Sequence, residues 1–271
     1  MGKTEGAVRF AAVTGASSGI GRETAAALTA RGWRVFDLSR RETPERAGVR
    51  RLFCDVTDPA SVDAALRALA GETGGRLDLL VNNAGAGVSG AVEFLTPGES
   101  ARQFSVNYFG VETVTRAALP LLRASRGRIV NVSSVAALAP IPFQADYSAS
   151  KAAVNALTRA LRGELRSSGV SVCAVMPGDV RTGFTDAREK NGEGAAVYGE
   201  AIGRAVSQME RDERGGMDPA RAGRFIARLA ERRRVKPLYA IGFSYKAVCL
   251  LLKLLPSGLS SALIERIYHV R

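Results

Sequence analysis

Histidine is nearly missing from this chain: the single copy, His269, is the third residue from the end of 271. A histidine-based triad or a histidine-ligated metal site is therefore excluded as an expectation, and any catalytic proton must move by another group. Cysteine is scarce as well. Cys54, Cys173 and Cys249 sit in apolar surroundings without CxxC spacing, which suits reduced core thiols in a reducing compartment and implies no disulfide framework. Aromatic residues make up 6% of the chain, and the basic residues are not interleaved with them, which argues against a nucleic-acid surface. The longest apolar stretch, AVCLLLKLL at 247–255, is broken by Lys253 and closed by Pro256. It falls well short of the roughly 20 residues that a spanning helix needs. The opening MGKTEGAVRF has no charged-then-apolar signal pattern, and Gly6 stands where a myristoylation motif wants Ser or Thr, so a cytoplasmic location is expected.

Acidic residues are also in deficit, giving a formal charge of +12. From Pro219 onward eleven Lys or Arg face two Glu, so this last fifth carries about +9 of it. Arg221, Arg224 and Arg228 recur at helical spacing opposite Phe225, Ile226 and Leu229, the pattern of a solvated face over a core stripe. The alternative is attraction to an anionic membrane surface or an acidic partner, with 247–255 lying against it, and peripheral membrane contact is carried as an expectation on that account.

What the chain does have is a rhythm. Short apolar runs (VRFAAVTG, RVFDLS, RLFCDV, LDLLVNNAG, GRIVNVSS, VSVCAVMPG) alternate with segments of helical periodicity at 19–31, 59–70, 99–123 and 146–167. Such alternation predicts one α/β domain, a doubly wound parallel sheet covered by helices on both faces. The length suits a single unit, with a core at about 8–185. Residues 182–217 are charged and glycine-containing (TDAREKNGEG), then of helical pattern, without strand character. They read as a mobile substrate loop or an ordinary surface connection. A helical C-terminal extension is expected over 218–271.

The first strand runs into Thr14-Gly15-Ala16-Ser17-Ser18-Gly19-Ile20-Gly21, and a helix begins at once. Glycines at 15, 19 and 21 permit a tight turn and close approach of backbone to a pyrophosphate, which the free N–H groups of the helix start would bind. The next strand ends in Ser39, Arg40 and Arg41. An acidic residue about 20 positions beyond the glycines binds ribose hydroxyls, whereas arginine suits a 2′-phosphate, so NADP(H) is favoured over NAD(H). Asp37, two residues earlier inside the strand, leaves a rival. Asp55 and Val56 could reach the adenine, although a strand-end Asp also serves as a turn residue. Asn82-Asn83-Ala84-Gly85 ends the fourth strand at the carboxyl edge, where such sheets bind ligands.

Ser134, Tyr147 and Lys151 carry the chemistry. Four positions separate Tyr147 from Lys151, so on one helix the phenol and ammonium share a face. An adjacent cation would lower the phenol from its reference value of about 10, making Tyr147 a general acid or base. Ser134, ending the apolar strand RIVNVS, can donate to the same substrate oxygen. A YxxxK pair can equally be a surface pair, and the surrounding motifs decide between the two readings.

Together TGASSGIG at 14–21, DV at 55–56, NNAG at 82–85, Asn107, Ser134, YSASK at 147–151 and PG at 177–178 resemble the short-chain dehydrogenase/reductase family over about residues 8–185. The resemblance implies a one-domain Rossmann fold, hydride transfer with a nicotinamide cofactor and a homodimer or homotetramer. It implies that Ser134 orients the substrate oxygen, Tyr147 exchanges the proton, Lys151 lowers the tyrosine and holds the nicotinamide ribose, and Asn107 supports a water beyond the lysine. Asn83, Ala84 and Gly85 would line the cofactor, and Pro177, Gly178, Val180 and Thr182 would meet the nicotinamide. Ser133 competes for the serine role, although family spacing favours Ser134. Apolar neighbours, including Ala136, Phe143 and Phe184, suggest a lipophilic ketone or alcohol. The leading expectation is thus an NADP(H)-dependent, hydroxysteroid-like dehydrogenase; a 3-oxoacyl reductase and an NADP-binding regulator are the alternatives. No metal is expected.

Overall fold

Strand β1 (Arg9–Thr14) turns Ala11 and Val13 to one face of a sheet and Ala12 to the other, and all three are fully buried. A strand covered on both faces is a continuous apolar run for this reason. It forms the centre of the computed structural model, which describes residues 8–268. His269 and the first seven residues lie outside the described residues, and so do the readings made on them.

From β1 the chain enters α1 (Gly19–Thr29), β2 (Trp33–Ser39), β3 (Val49–Phe53), α2 (Pro59–Thr73), β4 (Leu79–Asn82) and the short β5 (Val88–Ser89). Helix α3 (Pro97–Phe104) opens on a capping box, in which Thr96 accepts from Glu99 N and the Glu99 carboxylate accepts from Thr96 N. A π-helical turn at Ser105–Phe109 follows, then α4 (Gly110–Ser125), β6 (Arg128–Val132), α5 (Ala145–Glu164) and β7 (Ser171–Pro177). The remainder is β8 (Glu189–Lys190), α6 (Ala195–Tyr198), α7 (Ala201–Arg214), α8 (Pro219–Ala230), β9 (Leu238–Ile241), α9 (Phe243–Leu254) and α10 (Ser257–Ile267).

Seven strands form one sheet in the order β3-β2-β1-β4-β6-β7-β9, all neighbours parallel. The chain winds outward from β1 to β3 and then restarts at β4 on the other side, so the order reverses between β1 and β4. Ligands enter such sheets at the carboxyl edge beside that reversal. One face is covered by α1 and α8, whose Ala25, Leu28, Ile226 and Leu229 pack on Val13 and Val81; α2 and α4 cover the other with Val62, Leu69, Val114 and Leu122. Helices α1 and α8 cross closely at Gly223, where a Cβ would come within 2.5 Å of the Glu23 carbonyl carbon. Arg221, Arg224 and Arg228 occupy the exposed side of α8.

Two segments differ from the sequence expectation. The loop at 182–217 does contain a strand: β8 pairs in parallel with β5, and Arg102 clamps Glu189 at 2.6 Å. A two-residue strand has too few positions to show period-2 patterning. The tail is not wholly helical either, because β9 completes the sheet edge beside β7. Beyond β9, α9 folds back over the carboxyl edge, with Cys249 buried against Val135 and Met176, while Phe243, Leu250, Leu254 and Leu259 are exposed. The tail charge is divided. Arg232, Arg233, Arg234 and Lys236 precede β9 at its amino end, whereas α9 leaves from the carboxyl end. Among the described residues no helix is long and apolar enough to cross a membrane.

Candidate active site

The glycine turn is held from both sides of the strand reversal. Gly15 adopts φ +66°, a left-handed conformation open to glycine, and its N–H donates to Leu38 O at 2.9 Å. A Cβ at Gly21 would come within 2.5 Å of Gly15 O and closer still to the Asn83 amide. Thr14 Oγ1 accepts from the N–H groups of Asn83 and Ala84, both at 2.9 Å, and Asn83 Nδ2 donates to Thr14 O at 3.0 Å. The NNAG segment thus braces the turn. Ser18 occupies the N-cap of α1 without a side-chain cap bond, which leaves the leading N–H groups and the positive helix end to an external anion. Ser17, Gly19, Ile20 and Thr182 border the same space. A dinucleotide pyrophosphate fits this cradle.

At the next strand end Ser39, Arg40 and Arg41 border the cleft. Arg51 donates to the carbonyls of Arg40 and Arg41 at 3.0 and 2.9 Å and so fixes their backbone. Arg40 reaches Asp55 at 3.6 Å, while Asp55 Oδ1 accepts from Thr57 N and Oγ1 at 2.9 and 2.7 Å. Burial alone would raise Asp55; the Thr57 bonds and the Arg40 charge outweigh it and hold the carboxyl below its ordinary value. Asp55 is therefore a turn residue as well as a wall residue, and Val56 packs beside it against Gly110. Asp37 is closed to a ribose. It is fully buried, and Arg46, which no sequence motif marked, donates to its Oδ2 at 2.7 Å and to Ala16 O at 3.0 Å.

The end of the cleft that carries Ser134, Tyr147 and Lys151 lies where β6 stops. Ser133 is buried and donates to Lys151 O at 3.0 Å, so it ties β6 to α5. Ser134 faces the cleft, accepts from Ala136 N at 3.1 Å and bonds the Tyr147 phenol. Helix α5 carries Tyr147 and Lys151 one turn apart, with Lys151 Nζ 5.8 Å from the Tyr147 ring centroid. The ammonium donates instead to Val132 O at 2.9 Å. Burial lowers Lys151 to about 8. Tyr147 is pushed up to about 12, chiefly by burial and further by Glu213 and Asp179, against Ser134 and Arg188. The expected depression of the phenol is thus reversed: the i,i+4 spacing gave the right face, but desolvation exceeds a cation whose bond goes elsewhere.

Asn107 is buried in the π-helical turn, a bulge that redirects a side chain inward. Its Oδ1 accepts from Ala86 N at 2.9 Å and its Nδ2 donates to Ala86 O and Ser150 Oγ, both at 3.1 Å. Gly85 runs between Asn107 and Lys151, with room for a Cβ 3.4 Å from the Asn107 Oδ1.

On the substrate side Pro177, Gly178, Val180, Phe184 and Ala136 border a cleft of about 570 Å³. The Phe184 ring lies 5.8 Å from that of Tyr147. Phe143, expected in this wall, is turned away. It packs on Tyr198 at 5.6 Å, with φ +60° and its carbonyl accepting from Gly90 N. Its place is taken by residues that sequence reasoning left unassigned: Tyr245, Val248, Leu251, Leu263 and Ile264 of α9 and α10. Tyr245 lies flat on Gly178, where a side chain would collide with its ring, and its hydroxyl donates to Asp179 Oδ2 at 2.5 Å and accepts from Asp179 N at 3.0 Å. The apolar run at 247–255 was the signal available for Val248 and Leu251, while Tyr245, Leu263 and Ile264 lie outside it.

A family model described as short chain dehydrogenase matches residues 9–193. The chain is 39% identical to a 3-ketodihydrosphingosine reductase of Bacteroides thetaiotaomicron over 242 residues, covering 86% of this chain and 89% of that protein. It resembles a solved short chain dehydrogenase/reductase from Burkholderia phymatum in complex with NAD, with TM-score 0.77 and 28% identity over 90% of this chain and 92% of the other. A short chain dehydrogenase from Burkholderia cenocepacia in complex with NADP gives TM-score 0.76 and 26% identity over 94% and 97%.

Proposed function

The chain belongs to the short-chain dehydrogenase/reductase family, an NAD(P)-dependent oxidoreductase acting on CH–OH groups, and on that premise we propose that it interconverts a lipophilic ketone and its secondary alcohol with NADP(H). One observation carries the substrate class: the cleft that Ser134 and Tyr147 border is also lined by Tyr245, Val248, Leu251, Leu263 and Ile264, a largely apolar strip that ranges from buried Ile264 to exposed Leu251. Such a strip suits an extended alkyl chain. A rigid steroid, the leading expectation from sequence, has less support than a long-chain ketone, since the 39% identical relative is named for one.

The nicotinamide ring supplies and takes up hydride when bound. Ser134 and Tyr147 converge on one point of the cleft and would hold the carbonyl oxygen there; Tyr147 donates its proton to that oxygen in reduction and accepts it in oxidation. Lys151 lies beside the phenol with its ammonium on the Val132 carbonyl, and it would hold a ribose hydroxyl. The α1 amino end and the glycine turn would hold the pyrophosphate, and Arg40 and Arg41 the 2′-phosphate, Asp37 being engaged by Arg46.

A carbonyl panel with NADPH tests this reading: a long-chain 2-amino ketone, steroid ketones and 3-oxoacyl thioesters. The amino ketone is included for the relative's name and because Asp179, Asp212 and Glu213 border the cleft. Turnover of a long-chain ketone, lost by about 10²-fold or more in Tyr147→Phe, is expected. Turnover of thioesters alone would replace this reading by the acyl reductase, and binding of NADPH with no turnover at all would favour the regulator.

A further inference from the structure

Arg188 is the least expected residue near the cleft. Its side chain is fully buried, in a loop of otherwise solvated charges, and it pairs with Glu213 at the end of α7. Glu213 uses its second oxygen to accept from Thr185 Oγ1 at 2.6 Å, so the ion pair clasps the loop after β7 to α7. Arg188 Nε and Nη1 find no acceptor among the described residues. A buried guanidinium with unsatisfied donors is costly and needs a reason to be there.

The ring contacts beside it supply one. The Arg188 guanidinium carbon lies 5.7 Å from the Phe184 ring centroid, and the Phe184 ring lies 5.8 Å from Tyr147 at an interplanar angle of 53°. Behind Phe184 is Gly87, where a Cβ would come within 2.9 Å of the ring. Phe184 is therefore held between a glycine, a cation and the catalytic phenol. We infer that the Arg188–Glu213 ion pair is a positioning device for the proton-transfer step, seating Phe184 against Tyr147 and balancing the charge that the phenol meets from the substrate loop. Neither residue touches the reacting atoms by this account; both act through Tyr147, and the inference rests on the reading of Tyr147 as the proton-exchanging group.

The other charged group facing Tyr147 is Asp179 after β7, with Ser134 as its hydrogen-bond partner; Lys151 on α5, lowered to about 8, has lost its proton before the phenol titrates. Against that fixed background the two members of the pair act with opposite sign: Glu213 disfavours phenolate and Arg188 favours it. The test is a pH titration of protein carrying ¹³Cζ-labelled tyrosine, with the Tyr147 resonance assigned by its loss in Tyr147→Phe. Glu213→Gln should move the Tyr147 midpoint down, giving about tenfold more phenolate at a fixed alkaline pH, and Arg188→Gln should move it up. The double variant should return toward the parent. Shifts of the same sign, or none in variants whose circular dichroism matches the parent, would overturn the inference. Because the titration needs no substrate, a failed carbonyl panel would remove the proposed reductase activity and still leave this relationship decided.

Discussion

Arg46 Nη2 donates a 2.7 Å hydrogen bond to Oδ2 of Asp37, and the carboxylate it meets is completely buried. The same guanidinium holds Ala16 O inside the glycine turn, so one arginine ties the strand end to the phosphate cradle. Burial pushes Asp37 above its ordinary value despite Ser39 and Arg46, which marks it as an internal brace. With Asp37 closed, the polar groups left at the strand end are Ser39, Arg40 and Arg41. Arg40→Ala should then weaken NADPH about tenfold more than NADH. Fluorescence titration with both cofactors checks this, and equal losses would mean that the 2′-phosphate is held elsewhere.

Lys151 gives a pH signature. Its folded value, about 8, lies below the 10.5 of the free side chain, because burial penalises the ammonium. Below about pH 8 the lysine is charged in both states and the folded protein bears the full cost; between about 8 and 10.5 the unfolded chain binds more protons, so stability contributed at this site rises with pH. The span corresponds to about 3 kcal/mol. Lys151→Met lacks this contribution. The difference in unfolding midpoint between the parent and Lys151→Met should therefore shift by several degrees in the parent's favour as pH rises through this window. A constant difference would show that the ammonium is not desolvated.

The apolar strip makes a prediction about chain length. Leu251 and Leu263 border the cleft yet are 45% and 41% exposed, so changing them leaves the core intact. Leu251→Asp and Leu263→Asp should raise KM for a long-chain ketone about tenfold or more, with little change for a short one. Steady-state kinetics on a homologous ketone series reads this directly, and an equal effect at every chain length would place the alkyl chain elsewhere.

Much of the fold was legible in the chain because its causes are local. Continuous apolar runs name strands buried on both faces, and the periodic segments between them gave the helices close to their observed ends: α5 runs from Ala145 to Glu164 where residues 146–167 were expected. Gly15, Gly19 and Gly21 were readable from the conformations and close approaches that only glycine permits. Illegible elements were those whose reason is a distant partner. β8 exists because β5 lies beside it, and β9 because β7 does. Phe143 looked like a wall residue from its neighbours in sequence, but its backbone turns it onto Tyr198.

The sequence alone placed a glycine turn suited to a phosphate, the NNAG end of a fourth strand and the Ser134, Tyr147, Lys151 set at one sheet edge, since each is encoded by residue type at short spacing. Tertiary structure decided what those groups experience. Whether Tyr147 is raised or lowered, whether Asp37 is free, whether Ser133 or Ser134 faces the cleft and which helices close it all depend on desolvation and on charges brought from far along the chain. Such through-space terms fall off with distance in the folded molecule, not with separation in sequence.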